Sequence, residues 1–404
     1  MVGNKLEKKY AIIYIIIVYV LIFQNFLQKY VSIFQYTDEM IALIGILYYI
    51  GNLIKNKKIK KSDIIIIISL ILLTIIGFYS NFTYKYQDIG SAAKDWFLVM
   101  KFFFVYLSAK TISSKIDIKI NRKLIYNSMK IIVIILSIFT ILNYIFKLYP
   151  SEVRYGIMSN KLFYEHPTYL AAVCIALIAN IILFSNKIIN KYIIICLILL
   201  ITTLRSKAIA ASIVIILLVS YINIRNKKIS LIKLMIVGII AIMVAWSQIE
   251  YYFIDIEGSP RRVLMETSVT IANDYCPIGT GFGTYGSYTS GENYSPVYEI
   301  YGINKVDGIM RGRAYYLSDT FWPMIMGQFG FLGTAIYIVC LTMIFINIQK
   351  SYENGKNIYI SKIIALVYLV ISSVAEATFV NPISIPLALI LGLELNQSNN
   401  NMNN

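Results

Sequence analysis

Runs of roughly twenty apolar residues, broken by short polar stretches, recur along the whole chain. A helix needs about 20 such residues to cross a bilayer's hydrocarbon core. The runs near 10–28, 37–54, 63–81, 95–112, 128–148, 167–186, 188–204, 207–224, 231–250, 320–347, 358–374 and 380–395 qualify. Each is expected to be helical, because in lipid every backbone N–H and C=O must find its partner within the segment. The pattern therefore predicts an all-α polytopic membrane protein of about twelve transmembrane helices. Residues 1–249 carry the first nine, 319–395 the last three, and 396–404 form a polar cytoplasmic tail. Between them, residues 250–318 form one large extracytoplasmic loop containing short surface helices. Ser259-Pro260 is a helix-start signal and Pro277 a stop, so one surface helix is predicted over 260–275.

Composition agrees: 58% of residues are hydrophobic, 14% are charged, and the mean hydropathy is +0.68. Lys5, Lys8 and Lys9 precede the first run, which lacks a small-residue cleavage site and reads as a retained helix. The four cysteines suggest no disulfide framework. With the N-terminus cytoplasmic, the inner segments hold 23 lysines and arginines against 5 acids, and the outer ones 14 against 16, with Lys101 counted as snorkelling outward. The net charge of +16 thus sets orientation by the positive-inside rule, with both termini cytoplasmic. It gives no reason to expect nucleic acid.

One interruption needs explaining. In LITTLRSKAIAAS (200–212) two cations stand inside an apolar stretch, where each would cost roughly 2.5–3.5 kcal/mol at the centre of a membrane helix. One helix through this stretch would invert every later loop. Two short helices joined by a tight outer turn keep the charge parity and put Arg205 and Lys207 at the outer rim. Arginine is sorted outward more generally: Arg154, Arg205, Arg261, Arg262, Arg311 and Arg313, six of the eight, fall outside, whereas 21 of 29 lysines fall inside. A guanidinium is a planar fork suited to bidentate contact with phosphate or carboxylate. The bias points to an anionic substrate at the outer rim, against chance and ordinary salt bridging.

Other candidates carry two readings each. GFGTYG (281–286) matches a dinucleotide fingerprint only in letters, since no βαβ unit surrounds it. Its glycines offer tight turns and close approach of main chain to a ligand, or merely a compact loop. His166, the only histidine, is a catalyst or a hydrogen-bonded structural residue. No cluster of metal-ligand spacing exists. Asp319 is a general base of raised pKa or the N-cap of the tenth helix. Glu376 is a weaker candidate of the same kind.

These pieces resemble the O-antigen polymerase and ligase superfamily of membrane glycosyltransferases (Wzy-type). LITTLRSKAIAAS is similar to the family's Ser-Arg-Gly-like turn, with Leu204 departing from it. RVLMETSVTIANDYCPIGTGFGTYG (262–286) resembles its arginine, amphipathic helix and Pro-(x)-Gly-x-Gly segment, and SDTFWPMIMGQFGFLG (318–333) its return helix. RYGIMSNKLFYEHPTYLAA (154–172) is similar to a weaker pattern. The resemblance implies a polymerase joining oligosaccharide repeat units carried on undecaprenyl pyrophosphate, for O-antigen or capsular polysaccharide, at the outer leaflet of the bacterial cytoplasmic membrane. It implies no cofactor and no metal, with membrane lipid and a chain-length regulator protein as partners. The ligase branch carries a histidine near the return helix where this chain has Ser318-Asp319, which favours the polymerase branch. Alternatives are that ligase, or a flippase or other carrier of lipid-linked oligosaccharide; a carrier, however, usually gathers charge near the midplane.

On this reading Arg205, Arg262, Asp319 and His166 are the catalytic candidates. Arg154, Arg261, Arg311 and Arg313 hold diphosphate or glycan. Tyr285, with Tyr288, Tyr294, Tyr298 and Tyr301, offers faces and hydroxyls to sugar rings, as chance would also allow in a tyrosine-rich chain.

Overall fold

The computed structural model describes residues 2–56, 60–113, 121–255 and 258–395. The polar tail 396–404 and parts of two basic segments, 57–59 and 114–120, lie outside the described residues. The structure is 74% helical, with almost no strand among the described residues. Among the described residues eight helices are long and apolar enough to cross a membrane, as in a multi-pass membrane protein.

Helices α1 (Val2–Leu27), α2 (Thr37–Asn56), α3 (Lys61–Tyr84), α4 (Ile89–Ser113) and α5 (Arg122–Phe146) follow the first five apolar runs. A two-residue hairpin, β1 (Val153–Arg154) and β2 (Ile157–Met158), precedes α6 (Pro167–Phe184). Next come α7 (Lys191–Thr202), α8 (Ser206–Arg225) and α9 (Leu231–Glu250). The polar segment holds α10 (Pro260–Asp274), α11 (Tyr288–Glu292) and α12 (Val297–Ile300). The chain returns through α13 (Trp322–Ser351), α14 (Lys356–Ser372) and α15 (Ser384–Gly392). Two are short. The 12 residues of α7 rise about 18 Å and the 9 residues of α15 about 14 Å, against a hydrocarbon core of about 30 Å. In the last run, Pro382 and the turns before it take up the residues that hydropathy alone assigned to helix.

Burial is distributed as lipid solvation requires. Helix α6 is wrapped on almost all sides, whereas α2, α3, α5 and α9 show Leu47, Ile75, Ile145 and Ile239 to the outside. So broad an apolar exterior suits a bilayer and not water.

The salt bridges test the parity of the crossings. Lys60–Glu394, Lys110–Asp63 and Lys228–Glu353 join groups at one end of the bundle. Lys94–Glu292, Arg261–Asp319 and Lys207–Glu376 join groups at the other. No salt bridge among the described residues joins an inner-assigned group to an outer-assigned one. Lys101 belongs to the second end but does not snorkel. Its ammonium lies 2.5 Å from Asp38 with both side chains buried, and Gln24 donates to the same carboxylate at 2.7 Å.

The polar segment has a core of its own, built from Leu264, Ile271, Tyr285, Val297, Tyr298 and Leu317. Its α10 starts as predicted, with Ser259 in the cap position and Pro260 at the first helical position, although the serine side chain makes no capping bond. The close approach expected of its glycines is made to helices α3, α4 and α13. Asn81 of α3 clasps Phe282 by both main-chain groups, at 2.8 and 2.9 Å. The N–H of Gly283 donates to the buried carboxylate of Asp95 in α4 at 2.9 Å. Gly281 has φ +102° and a side chain there would meet Asn81 at 2.8 Å, so glycine is required. Helix α13 breaks at Gly330 (φ +63°), where Leu332 N–H turns to Pro277 O at 3.1 Å. The segment is thus clamped to the bundle.

Candidate functional site

Two helix starts and one helix end open onto a cavity of about 700 Å³ at the clamped end of the bundle. His166 is the N-cap of α6, with extended backbone ahead of Pro167. Leu204 takes a left-handed turn (φ +51°) and Arg205 stands in the cap position of α8 in extended conformation, its side chain making no capping bond. The predicted break between two short helices is therefore present, and it turns both Arg205 and Lys207 into the cavity. Beyond the end of α14 stands Glu376, and Arg261 projects from the first turn of α10. Arg154 of the hairpin, Asp319, Tyr315 and Tyr316 also line the space, and Ala241 and Ile242 of α9 give it an apolar wall.

Each cation faces a carboxylate. Arg154 lies 3.0 Å from Glu152, which also accepts from Arg205. Lys207 pairs with Glu376, whose second oxygen is buried without a hydrogen bond. Arg261 lies 2.8 Å from Asp319. Arg205 also donates to His166 Nε2 at 2.8 Å, and His166 Nδ1 meets the Thr168 hydroxyl at 2.8 Å. The histidine ring opens onto the cavity but is crowded by protein. That burial, with Arg205 beside it, lowers its pKa from 6.5 to about 4. Burial also raises the pKa of Asp319, with Arg261 pulling the other way. For Glu152 burial opposes ionisation, but Arg154 and Arg205 outweigh it and hold the carboxyl below its usual range.

Five of the nine predicted site residues meet here: Arg154, His166, Arg205, Arg261 and Asp319. Four do not. Arg262 pairs with Glu266 one turn further along α10 and donates to Ile254 O, outside the lining. Arg311 pairs with Glu299 and covers the ring of Tyr294, and Arg313 is exposed elsewhere on the segment. Tyr285 is fully buried and its hydroxyl donates to Leu264 O at 2.7 Å, so it offers no face to a sugar. Tyr298 is likewise buried, with its hydroxyl on Gly286 N and Ser290. Tyr315 and Tyr316 are the exposed rings at the cavity. Asp319 is not a helix cap either, because α13 starts at Trp322 with Phe321 in the cap position.

Sequence reading missed Lys207 and Glu152 as site members. Lys207 had a signal, its place two residues after Arg205 in an apolar run. Glu152 had none, since an acid beside a hairpin is ordinary. Among the described residues no group of three or more His, Cys, Asp or Glu could hold a metal ion. No family model matches the chain, and no curated protein matches it.

What this arrangement can do is bind an anion of high charge density. Arg154 and Arg205 share one carboxylate, so a diphosphate entering the cavity could replace it and keep both forks engaged.

Proposed function

We propose that the chain polymerises lipid-linked oligosaccharide repeat units at the outer leaflet of a bacterial cytoplasmic membrane. In this topology there are twelve crossings, both termini are cytoplasmic, and residues 251–318 are external. The clustering of Arg154, Arg205, Lys207 and Arg261 beside His166 and Asp319 in one rim cavity carries the reading. The resemblance of LITTLRSKAIAAS and SDTFWPMIMGQFGFLG to O-antigen polymerase motifs supplies the reaction class.

The donor sugar's diphosphate would lie against Arg205 and Arg154. As the acceptor hydroxyl oxygen bonds to the anomeric carbon, the bond from that carbon to the diphosphate oxygen breaks. The electron pair leaves on the lipid diphosphate, where fixed guanidinium groups stabilise the developing charge. The hydroxyl proton passes to a carboxylate, and Asp319 fits that task because burial makes it a stronger base than an ordinary aspartate. Tyr315 and Tyr316 offer ring faces to the sugars.

Deleting the protein should leave single repeat units on the lipid or its final acceptor, with long chains lost. Units trapped on the inner leaflet would mean a flippase. An unchanged glycan profile would overturn the proposal.

A further inference from the structure

At the opposite end of the bundle, a second cavity of about 230 Å³ lies between α3, α4, α13, α14 and the residues after α15. Its charged lining is five lysines, Lys60, Lys61, Lys110, Lys350 and Lys362, against one acid, Glu394. Three features converge there. The first turn of α3, a helix of 24 residues, puts Lys61 and Ser62 on the wall, so the positive end of that helix faces the space. The carboxylates nearby are already engaged: Asp63 by Lys110 at 2.5 Å, and Glu394 by Lys60 at 2.5 Å and Lys110 at 3.7 Å. Finally, Lys362 is 5% exposed and forms no salt bridge among the described residues, yet it lines the cavity.

A buried ammonium outside any salt bridge is costly; Glu394 acts on it across the cavity but is already held by Lys60 and Lys110, and a chain that keeps such an ammonium beside four more lysines invites an anion from outside itself. We propose that this cavity is a binding site for a phosphate group, held by Lys362 at its floor and by Lys61 and Lys350 at its sides. The site is separate from the outer cavity and does not depend on the reaction assigned there. Two sources share this chemistry: the headgroup of an anionic phospholipid, which basic pockets between membrane helices take up, and soluble phosphate. Asn347 and Tyr106, also on the lining, would donate hydrogen bonds to the phosphate oxygens.

The test uses the purified full chain in neutral detergent. Its thermal unfolding midpoint is followed while inorganic phosphate, phosphatidylglycerol or phosphatidylcholine is added. Phosphatidylglycerol should raise the midpoint and phosphatidylcholine should not. A response to inorganic phosphate as well would identify a soluble anion as sufficient; its absence would identify the lipid headgroup. Lys362→Met should raise the half-saturating anion concentration about tenfold, the loss expected for one charge-assisted contact. Without anion the same variant should unfold no earlier than the parent, since it removes a buried unpaired charge. Lys305→Met, in the polar segment, should change neither. If Lys362→Met fails to fold, Lys350→Met, exposed at the mouth, must weaken the response. No shift with either anion, or equal shifts in parent and Lys362→Met, would overturn the site.

Discussion

Nη2 of Arg205 lies 2.8 Å from Nε2 of His166, and that contact fixes the histidine's tautomer. A guanidinium can only donate, so Nε2 must accept. Nδ1 then carries the proton and donates to the Thr168 hydroxyl at 2.8 Å. The longer approach of Thr168 N to Nδ1, 3.3 Å, is incompatible with a strong bond in that tautomer, and the shorter contact decides. Arg205 thus holds the only histidine neutral, with its lone pair pointed at the place where a diphosphate would draw the arginine away.

The pH behaviour follows with a definite sign. The folded chain keeps His166 neutral down to about pH 4, whereas the unfolded chain protonates it at 6.5. Between those values the unfolded state binds the extra proton, so stability falls as the pH drops through that window and is unaffected by this group above it. Because there is one histidine, its nitrogen-15 signal can be read alone in detergent micelles. The midpoint should lie near 4, and Arg205→Ala should move it toward 6.5. A midpoint at 6.5 in the parent would refute the contact.

Arg205 and Arg261 should tolerate lysine badly. A point charge cannot reproduce a planar fork that grips a carboxylate or phosphate by two bonds. Arg205→Lys and Arg261→Lys should each reduce polymer formation about tenfold or more, corresponding to at least about 1.4 kcal/mol of barrier. Arg262→Lys should leave it near the parent level, because Arg262 is occupied with Glu266 outside the cavity. Glycan chain length at matched membrane protein levels is the measurement. Damage from Arg262→Lys equal to that from Arg261→Lys would return the role to Arg262.

Membrane helices are legible because lipid imposes length and hydropathy on them, and Arg205 is legible because a cation in an apolar run is costly. Arg261 and Arg262 are neighbours on a helix, about 100° apart around its axis. Only the packing of α10 on α13 decides which one faces the cavity. Tyr285 misled because the polar segment buries a core of its own, which composition does not reveal. The burial of Lys101 is not legible in sequence, because its partner, Asp38, is 63 residues away in the chain.

Loss of the clamp should be visible without any assay of activity. Asn81→Ala leaves the N–H and C=O of Phe282 buried and unpaired, at a cost of about 1–3 kcal/mol for each group left unsatisfied. The variant should release the polar segment, so residues 275–290 should become cleavable by protease well below the unfolding temperature. Gly281→Ala should act the same way, since the added carbon meets Asn81 at 2.8 Å. Protection equal to the parent in both variants would mean that the segment is held by other contacts.

Orientation is the last prediction, and the chain carries its own probe. Cys276 is exposed, while Cys174, Cys196 and Cys340 are buried. A membrane-impermeant maleimide added to intact cells should therefore label the parent protein at Cys276, and Cys276→Ser should abolish labelling. Lys228 is the natural opposite mark. It pairs with Glu353 across two segments that the charge count assigns inside, and the salt bridges keep those segments together at one end of the bundle. In the Cys276→Ser background, Lys228→Cys should label only after the membrane is permeabilised. The reverse pattern, Lys228→Cys labelled in intact cells and Cys276 silent, would invert the protein and place the arginine cavity in the cytoplasm. Labelling of both in intact cells would break the parity itself, because an even number of crossings would then separate residues 228 and 276. The single crossing by α9 would be the one to abandon. Among the described residues it is the one apolar helix between these two positions, and its outward face, including Ile239 and Met243, would then lie on the surface of the bilayer instead of passing through it.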